Sequence, residues 1–282
     1  MKKILVPCDF SATAKEAFKF AVNIAEKNKS EIYVLYVVDS SFVNNATSEL
    51  SQAAAFNGVF MQRLEEQYNE KFFEMKREYA SDDVNVTFKI DIGSLTQTIQ
   101  SYIQEKKVDL VVMGTHGASG LKEFFVGSNT EKIVRYANVP VVAVPLGSQF
   151  DAIQDIVLPV EPRHQATSFI HEVKVIQNFF QAKLQILWIN TPHLFKSDAE
   201  AIEDLQEFAD DHHLHDYKLN VRSDHSEQEG ILHFAHEVKA GLIFMPTHSR
   251  KGLIHWLTGS ITENVVNHVQ CPVWTYSLKE GT

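Results

Sequence analysis

The sequence predicts an α/β protein made of two similar halves, each a parallel sheet covered by helices. Short apolar runs alternate with stretches of helical periodicity along the chain, the pattern of strand–helix–strand crossovers. The runs, such as Lys3-Ile-Leu-Val-Pro7 and Leu110-Val-Val-Met113, carry no polar alternation and read as strands buried on both faces. The chain also repeats itself at long range.

Lys3-Ile-Leu-Val-Pro-Cys-Asp9 returns as Asp155-Ile-Val-Leu-Pro-Val-Glu161, and Tyr33-Val-Leu-Tyr-Val-Val38 as Gln185-Ile-Leu-Trp-Ile-Asn190. Asp109-Leu-Val-Val-Met-Gly-Thr-His116 returns as Gly241-Leu-Ile-Phe-Met-Pro-Thr-His248, and Gly127-Ser-Asn-Thr-Glu131 as Gly259-Ser-Ile-Thr-Glu263. So long a period means duplicated domains and not a short-repeat solenoid. With 282 residues, each copy is large enough for its own core. The expected domains are residues 1–147 and 151–282, joined by Gly147-Ser-Gln-Phe150. The offset between equivalent residues falls from 152 to 132 after the second strand, so the first half carries extra chain around residues 40–65.

In order, the first half predicts strands near 2–8, 32–38, 84–91, 109–114 and 140–145, with helices near 12–28, 58–80, 95–107 and 129–137. The second half predicts strands near 155–160, 184–190, 217–223, 241–246 and 272–276. Residues 40–65 are long for a connection in a compact domain and suit a flap. Phe56 and Phe60 could cover a ligand there or pack the start of the next helix.

The stretch from Met113 to Glu131 follows a buried strand and leads into a helix. Gly114 and Gly117 can take φ > 0 and let the backbone approach a ligand. Gly127-Ser128 opens a helix whose first N–H groups have no intrahelical partner and carry the positive end of the macrodipole. Such a turn can cradle a phosphate without Lys or Arg. It also reads as punctuation, because Ser128-x-x-Glu131 is a capping box that needs no ligand.

The spacing G-x2-G-x9-G-[S/T], met by Gly114, Gly117, Gly127 and Ser128, resembles the ATP-binding signature of the universal stress protein family. Met1-Lys-Lys-Ile-Leu-Val-Pro-Cys-Asp-Phe-Ser11 is similar to that family's first strand and turn, and Val139-Pro-Val-Val-Ala-Val-Pro145 to its last strand. The resemblance implies a doubly wound five-stranded parallel sheet of order 3-2-1-4-5 in each half. The switch point then lies between strands 1 and 4, where Asp9 and Gly114 end their strands. It implies an ATP site in the first half, with or without Mg²⁺, and closing strands that pair antiparallel, here within one chain as an internal pseudo-dimer. Assembly into a homodimer of chains stays open.

The cofactor-binding residues expected are Pro7, Cys8, Asp9, Val37, Val38, Met113, Gly114, His116, Gly117, Gly127, Ser128, Asn129 and Thr130. Asp9 can accept from a ribose hydroxyl or an adenine amine, or cap the helix that follows. Pro7 and Cys8 shape its turn. Val37 and Val38 end the second strand, where the family's backbone groups read the adenine edge, and their side chains suit a core equally well. Thr115, His116, Asn129 and Thr130 stand close enough to touch phosphate or to shape the turn. The second half departs from the pattern: Pro246 replaces Gly114, Ser249 replaces Gly117, Glu161 replaces Asp9 and Asn190 replaces Val38, while Gly259-Ser260 remain. That half reads as a partner whose nucleotide site has decayed.

A net charge of −10 lacks the basic surface that nucleic acid or anionic lipid requires. Two cysteines without a C-x-x-C pair fit a reducing compartment. The first residues enter a strand directly and no apolar run approaches the length of a membrane span, so a cytoplasmic protein is expected. His212, His213, His215 and His225 crowd the second half, and His233 and His236 share a helical face, yet without a Cys pair or His-x3-His spacing zinc is not expected. No general base or Asp-rich metal pair stands beside the glycines, so no catalytic residue is assigned. Three functions fit: an ATP-binding stress regulator or sensor, a slow ATPase of the adenine-nucleotide hydrolase group, and a nucleotide-free dimerisation module.

Overall fold

A computed structural model describes residues 1–39, 54–115, 128–161, 167–193, 195–247 and 259–277, with side chains of residues 54–61, 128 and 259–260 excepted. The chain divides into two compact units, Met1–Gly114 and Thr115–Thr282.

The first unit carries β1 (Lys3–Pro7), α1 (Ala12–Asn28), β2 (Glu31–Asp39), α2 (Ala54–Tyr79), β3 (Val86–Gly93), α3 (Leu95–Lys106) and β4 (Leu110–Thr115). Its strands run parallel in the order β3-β2-β1-β4, with Leu5 opposite both Tyr33 and Val111. Ile4, Leu5, Leu110 and Val111 are fully buried, as strands covered on both faces require. Helix α1 buries Ala17, Phe18, Ala21 and Ile24, a stripe of helical period that turns its apolar side to the sheet. Ser11 caps it, its hydroxyl accepting from Ala14 N at 3.3 Å, and Lys29 closes it in the left-handed region.

The second unit carries α4 (Ser128–Tyr136), β5 (Val141–Pro145), β6 (Asp155–Pro159), α5 (Thr167–Phe180), β7 (Lys183–Asn190), α6 (Asp198–Asp211), β8 (Tyr217–Ser223), α7 (Glu227–Glu237), β9 (Leu242–Thr247), α8 (Gly259–His268) and β10 (Val273–Ser277). The strand order is β5-β10-β9-β6-β7-β8. Read from its far end, 8-7-6-9-10 reproduces the expected 3-2-1-4-5 order, all parallel. The chain is therefore a tandem of doubly wound α/β repeats.

Strand β5 belongs to the first repeat by sequence, yet it pairs antiparallel with β10: Val141 faces Thr275, Val142 faces Trp274 and Ala143 faces Val273. With an offset of 132 between the repeats, Val142 stands opposite its own counterpart, so this pairing is locally two-fold symmetric. The Thr275 hydroxyl adds a bond to the Val141 carbonyl at 3.0 Å, and Trp274 is fully buried. Beside it Glu131 and its counterpart Glu263 share a side-chain hydrogen bond, and Arg135 Nε lies 3.7 Å from Glu263.

Helix α2 starts at Ala54, four residues before the predicted start, and the connection before β6 contains a 3₁₀ turn at Phe150–Ala152. Residues 40–53 of the expected flap lie outside the described residues, as do the side chains of Phe56 and Phe60.

Candidate functional site

In the first unit, the turn after β1, the first turn of α1 and the end of β4 converge. The Cys8 N–H donates to the Leu35 carbonyl at 2.9 Å, carrying the β1–β2 ladder one residue past Pro7. Cys8 itself is buried with Sγ 3.9 Å from Met75 Sδ, and burial pushes its thiol up to about 12. A thiol so held stays protonated at neutral pH and acts as packing.

Asp9 is exposed, and its Oδ1 accepts from Ser11 N at 3.0 Å. The helix cap anticipated for Asp9 belongs to Ser11 instead, because Asp9 lies two residues too early and closes the turn below it.

Gly114 corrects a second expectation. Its φ is not positive. Its need for glycine is steric: a Cβ there would overlap the carbonyl carbon and oxygen of Thr13 and lie 2.9 Å from Thr13 Cβ. The close approach that the structure shows there is between β4 and the first turn of α1. Next to it, Thr115 is 5% exposed, and its hydroxyl has no hydrogen-bond partner among the described residues. A buried unpaired hydroxyl costs about 1–3 kcal/mol, which suits a place where another donor or acceptor docks.

Val37 and Val38 end β2 opposite Asp91 and Ile92 of β3; Val38 is buried and Val37 half-buried. Met113 is buried beneath Gly114. In α4, Asn129 is exposed and Thr130 buried. Ser128 opens that helix, while His116, Gly117 and Gly127 lie outside the described residues.

Sequence reasoning missed Phe10. It sits at φ 63°, which is unfavourable for a bulky residue, and its ring stacks on Tyr68 at 5.8 Å and 23°, with Tyr36 and Phe88 alongside. That aromatic packing holds the backbone beside Asp9 in a conformation the chain alone would not choose.

In the second repeat, the equivalent places are built differently. Pro246 removes an N–H at the end of β9, and its carbonyl accepts from the Thr262 hydroxyl at 2.9 Å. The Thr247 hydroxyl, counterpart of Thr115, donates to the Tyr276 carbonyl at 3.4 Å. At the end of β7, the Asn190 amide holds Lys196 by both backbone groups, at 2.8 and 3.0 Å. Lys196 in turn pairs with Asp204 and lies 4.9 Å above the Trp188 ring. The expected decay of this site thus coincides with polar groups that the protein satisfies itself. On the surface of the same repeat, His233 Nδ1 lies 2.8 Å from Asp224, and no set of three metal-ligating side chains is grouped among the described residues. No described helix is long and apolar enough to cross a membrane.

A doubly wound parallel sheet whose strand order reverses between β1 and β4, with a glycine-tight crossing beside that point, defines a Rossmann-like class of α/β fold. The universal stress protein family model matches residues 1–145 and again 161–277, and the chain belongs to this family. Two universal stress proteins of Methanocaldococcus jannaschii are similar to it. One is 33% identical over 143 residues, spanning 51% of this chain and 81% of the relative; the other is 29% identical over 152 residues, spanning 51% and 94%. A universal stress protein structure from Archaeoglobus fulgidus covers 98% of both chains with a TM-score of 0.73 at 17% identity, which speaks to the fold alone.

Proposed function

We propose that the chain is an ATP-binding stress regulator or sensor that works in the cytoplasm, with its nucleotide held by the first repeat only. In this reading backbone groups of Val37 and Val38 take the adenine edge, and Asp9 takes the ribose. Pro7, Cys8 and Met113 shape the floor, and Gly114 sets the crossing below. Phosphate falls to the backbone around His116, Gly117, Gly127, Ser128, Asn129 and Thr130, with or without Mg²⁺. The observation that carries this reading is the contrast at one repeat position: the Thr115 hydroxyl is buried without a described partner, whereas Thr247 finds one within its own repeat. The symmetric β5–β10 pairing supports an internal pseudo-dimer, with the second repeat as the structural partner.

A ligand that binds only the native state stabilises it by roughly 2.7 kcal/mol at a hundredfold excess over Kd. Saturating ATP is expected to raise the melting temperature of the intact chain. Gly127→Val erases the shift, because a branched side chain blocks the phosphate approach, and Gly259→Val leaves it intact. Calorimetry fitting two equivalent sites per chain, or a shift lost with Gly259→Val alone, overturns the asymmetry. Release of phosphate over hours distinguishes a slow ATPase from a binder.

A further inference from the structure

The inner face of α2 meets the sheet with one side chain per turn. Tyr68 reaches Tyr36 of β2, Phe72 stacks on Phe88 of β3 at 4.9 Å and 11°, and Met75 meets Cys8. The Tyr36–Tyr68 contact is a tight aromatic pair, with ring centroids 4.1 Å apart and planes inclined by 33°. The Tyr36 hydroxyl donates to the Tyr68 hydroxyl at 2.8 Å. With the hydroxyls in contact and the rings at van der Waals separation, the ring carbons ortho to the two oxygens are brought side by side. Both residues are half-buried, so the pair is fixed in place yet open to small oxidants.

A second tyrosine pair in this unit differs on each count. Tyr33 and Tyr102 stand 6.0 Å apart, edge to face at 68°, and the Tyr33 hydroxyl is turned away to Glu31.

We propose that Tyr36 and Tyr68 form an oxidative modification site, at which a peroxide-driven one-electron oxidant joins the two rings into an intrachain dityrosine. Each phenol loses one electron and its hydroxyl proton to give a phenoxyl radical. The two radicals couple through their ortho carbons, and the two ring hydrogens at the new bond move to the oxygens to restore the phenols. The net change is two electrons and two protons, which reduce one hydrogen peroxide to two waters. Burial and the neighbouring phenol hold Tyr36 protonated, so its electron leaves to the oxidant as its proton leaves to solvent at the half-buried pair. The new bond staples α2 to β2 and closes the intervening chain into a ring, which restricts the unfolded state as a disulfide does.

The test treats the folded full-length protein with a haem peroxidase and hydrogen peroxide. Expected are the loss of two hydrogens in the intact mass, dityrosine fluorescence, a tryptic peptide pair joined at Tyr36 and Tyr68, and a higher melting temperature. Tyr36→Phe and Tyr68→Phe each abolish the product, whereas Tyr33→Phe and Tyr102→Phe keep it. Wild type oxidised in urea also loses it, an arm that holds even if a variant folds poorly. No crosslink in the folded chain, a crosslink that survives Tyr68→Phe or urea, one mapped to another pair, or products that join separate chains overturns the proposal.

Discussion

Gly114→Ala separates two reasons for a glycine at the end of β4. If the residue served only a positive φ or an approaching ligand, a methyl would cost little in the free protein. The structure predicts otherwise, because that methyl overlaps the Thr13 carbonyl and lies 2.9 Å from Thr13 Cβ. Carbon atoms pack best at about 3.5–4.0 Å, so the first turn of α1 must retreat by roughly 1 Å from a sheet it is packed against. Backbone yields less readily than a side-chain tip, which puts the cost at the top of the usual overpacking range, about 3 kcal/mol. For a unit of the size of Met1–Gly114 that lowers the melting temperature by roughly 12 °C. Gly93→Ala is the control: its nearest obstacle is the Thr98 Oγ1 at 2.9 Å, a side-chain atom that can rotate away, at a cost of under about 1 kcal/mol. Urea denaturation followed by far-UV circular dichroism, without nucleotide, measures both. Equal stability for Gly114→Ala and wild type, or a Gly93→Ala cost as large as that of Gly114→Ala, refutes the steric account.

Phe10→Ala removes the ring that stacks on Tyr68 and is expected to lose about 2 kcal/mol in urea denaturation, with Phe10→Gly no worse despite its smaller side chain, because glycine alone is at ease at φ 63°. Glu263→Gln tests the carboxyl pair beside the β5–β10 pairing. Burial first, and then Glu131, raise the Glu263 carboxyl above 4.5, while Arg135 opposes the shift. A raised folded value gives stability that is present below the unfolded value and lost as pH rises through the folded one. Gln at 263 keeps the hydrogen bond without that loss, so the variant matches wild type near pH 4 and exceeds it increasingly toward pH 7 in thermal melts. A gap that is constant with pH counts against the shared carboxyl pair.

The sequence located the strands within a residue or two, and β8 at the predicted 217–223, because each is a run whose ends are marked by polar or turn residues. Phe10 was invisible to that reasoning. A lone aromatic between a strand and a helix cap has no periodicity, and its role depends on Tyr36 and Tyr68, which only the fold brings to it. Gly114 was legible as a required glycine but not for its reason, since a pattern of glycines cannot distinguish a left-handed turn from a close crossing. The cap failed on a finer point: Asp9 and Ser11 are both good caps, and only the helix start at Ala12 decides between them.

The duplication also allows the strand ends of one repeat to differ from those of the other while the fold is kept. The β5–β10 pairing is made by backbone groups in a symmetric register and by apolar faces around Trp274. It constrains a pattern of residues in both repeats and asks for no particular side chain at the ends of β6, β7 or β9. Those ends carry different residues from their counterparts in the first repeat, and three of the polar groups there are paired within the repeat. Asn190 found Lys196, Thr247 found the Tyr276 carbonyl, and the Pro246 carbonyl found Thr262. Thr262 shows the limit of that difference. It stands where the first repeat has Thr130, both are buried, and the first turn of α8 is tied through it to the end of β9. The second repeat therefore shares with the first the buried threonine at the helix start and differs from it at the strand ends, the division expected of the structural partner proposed above.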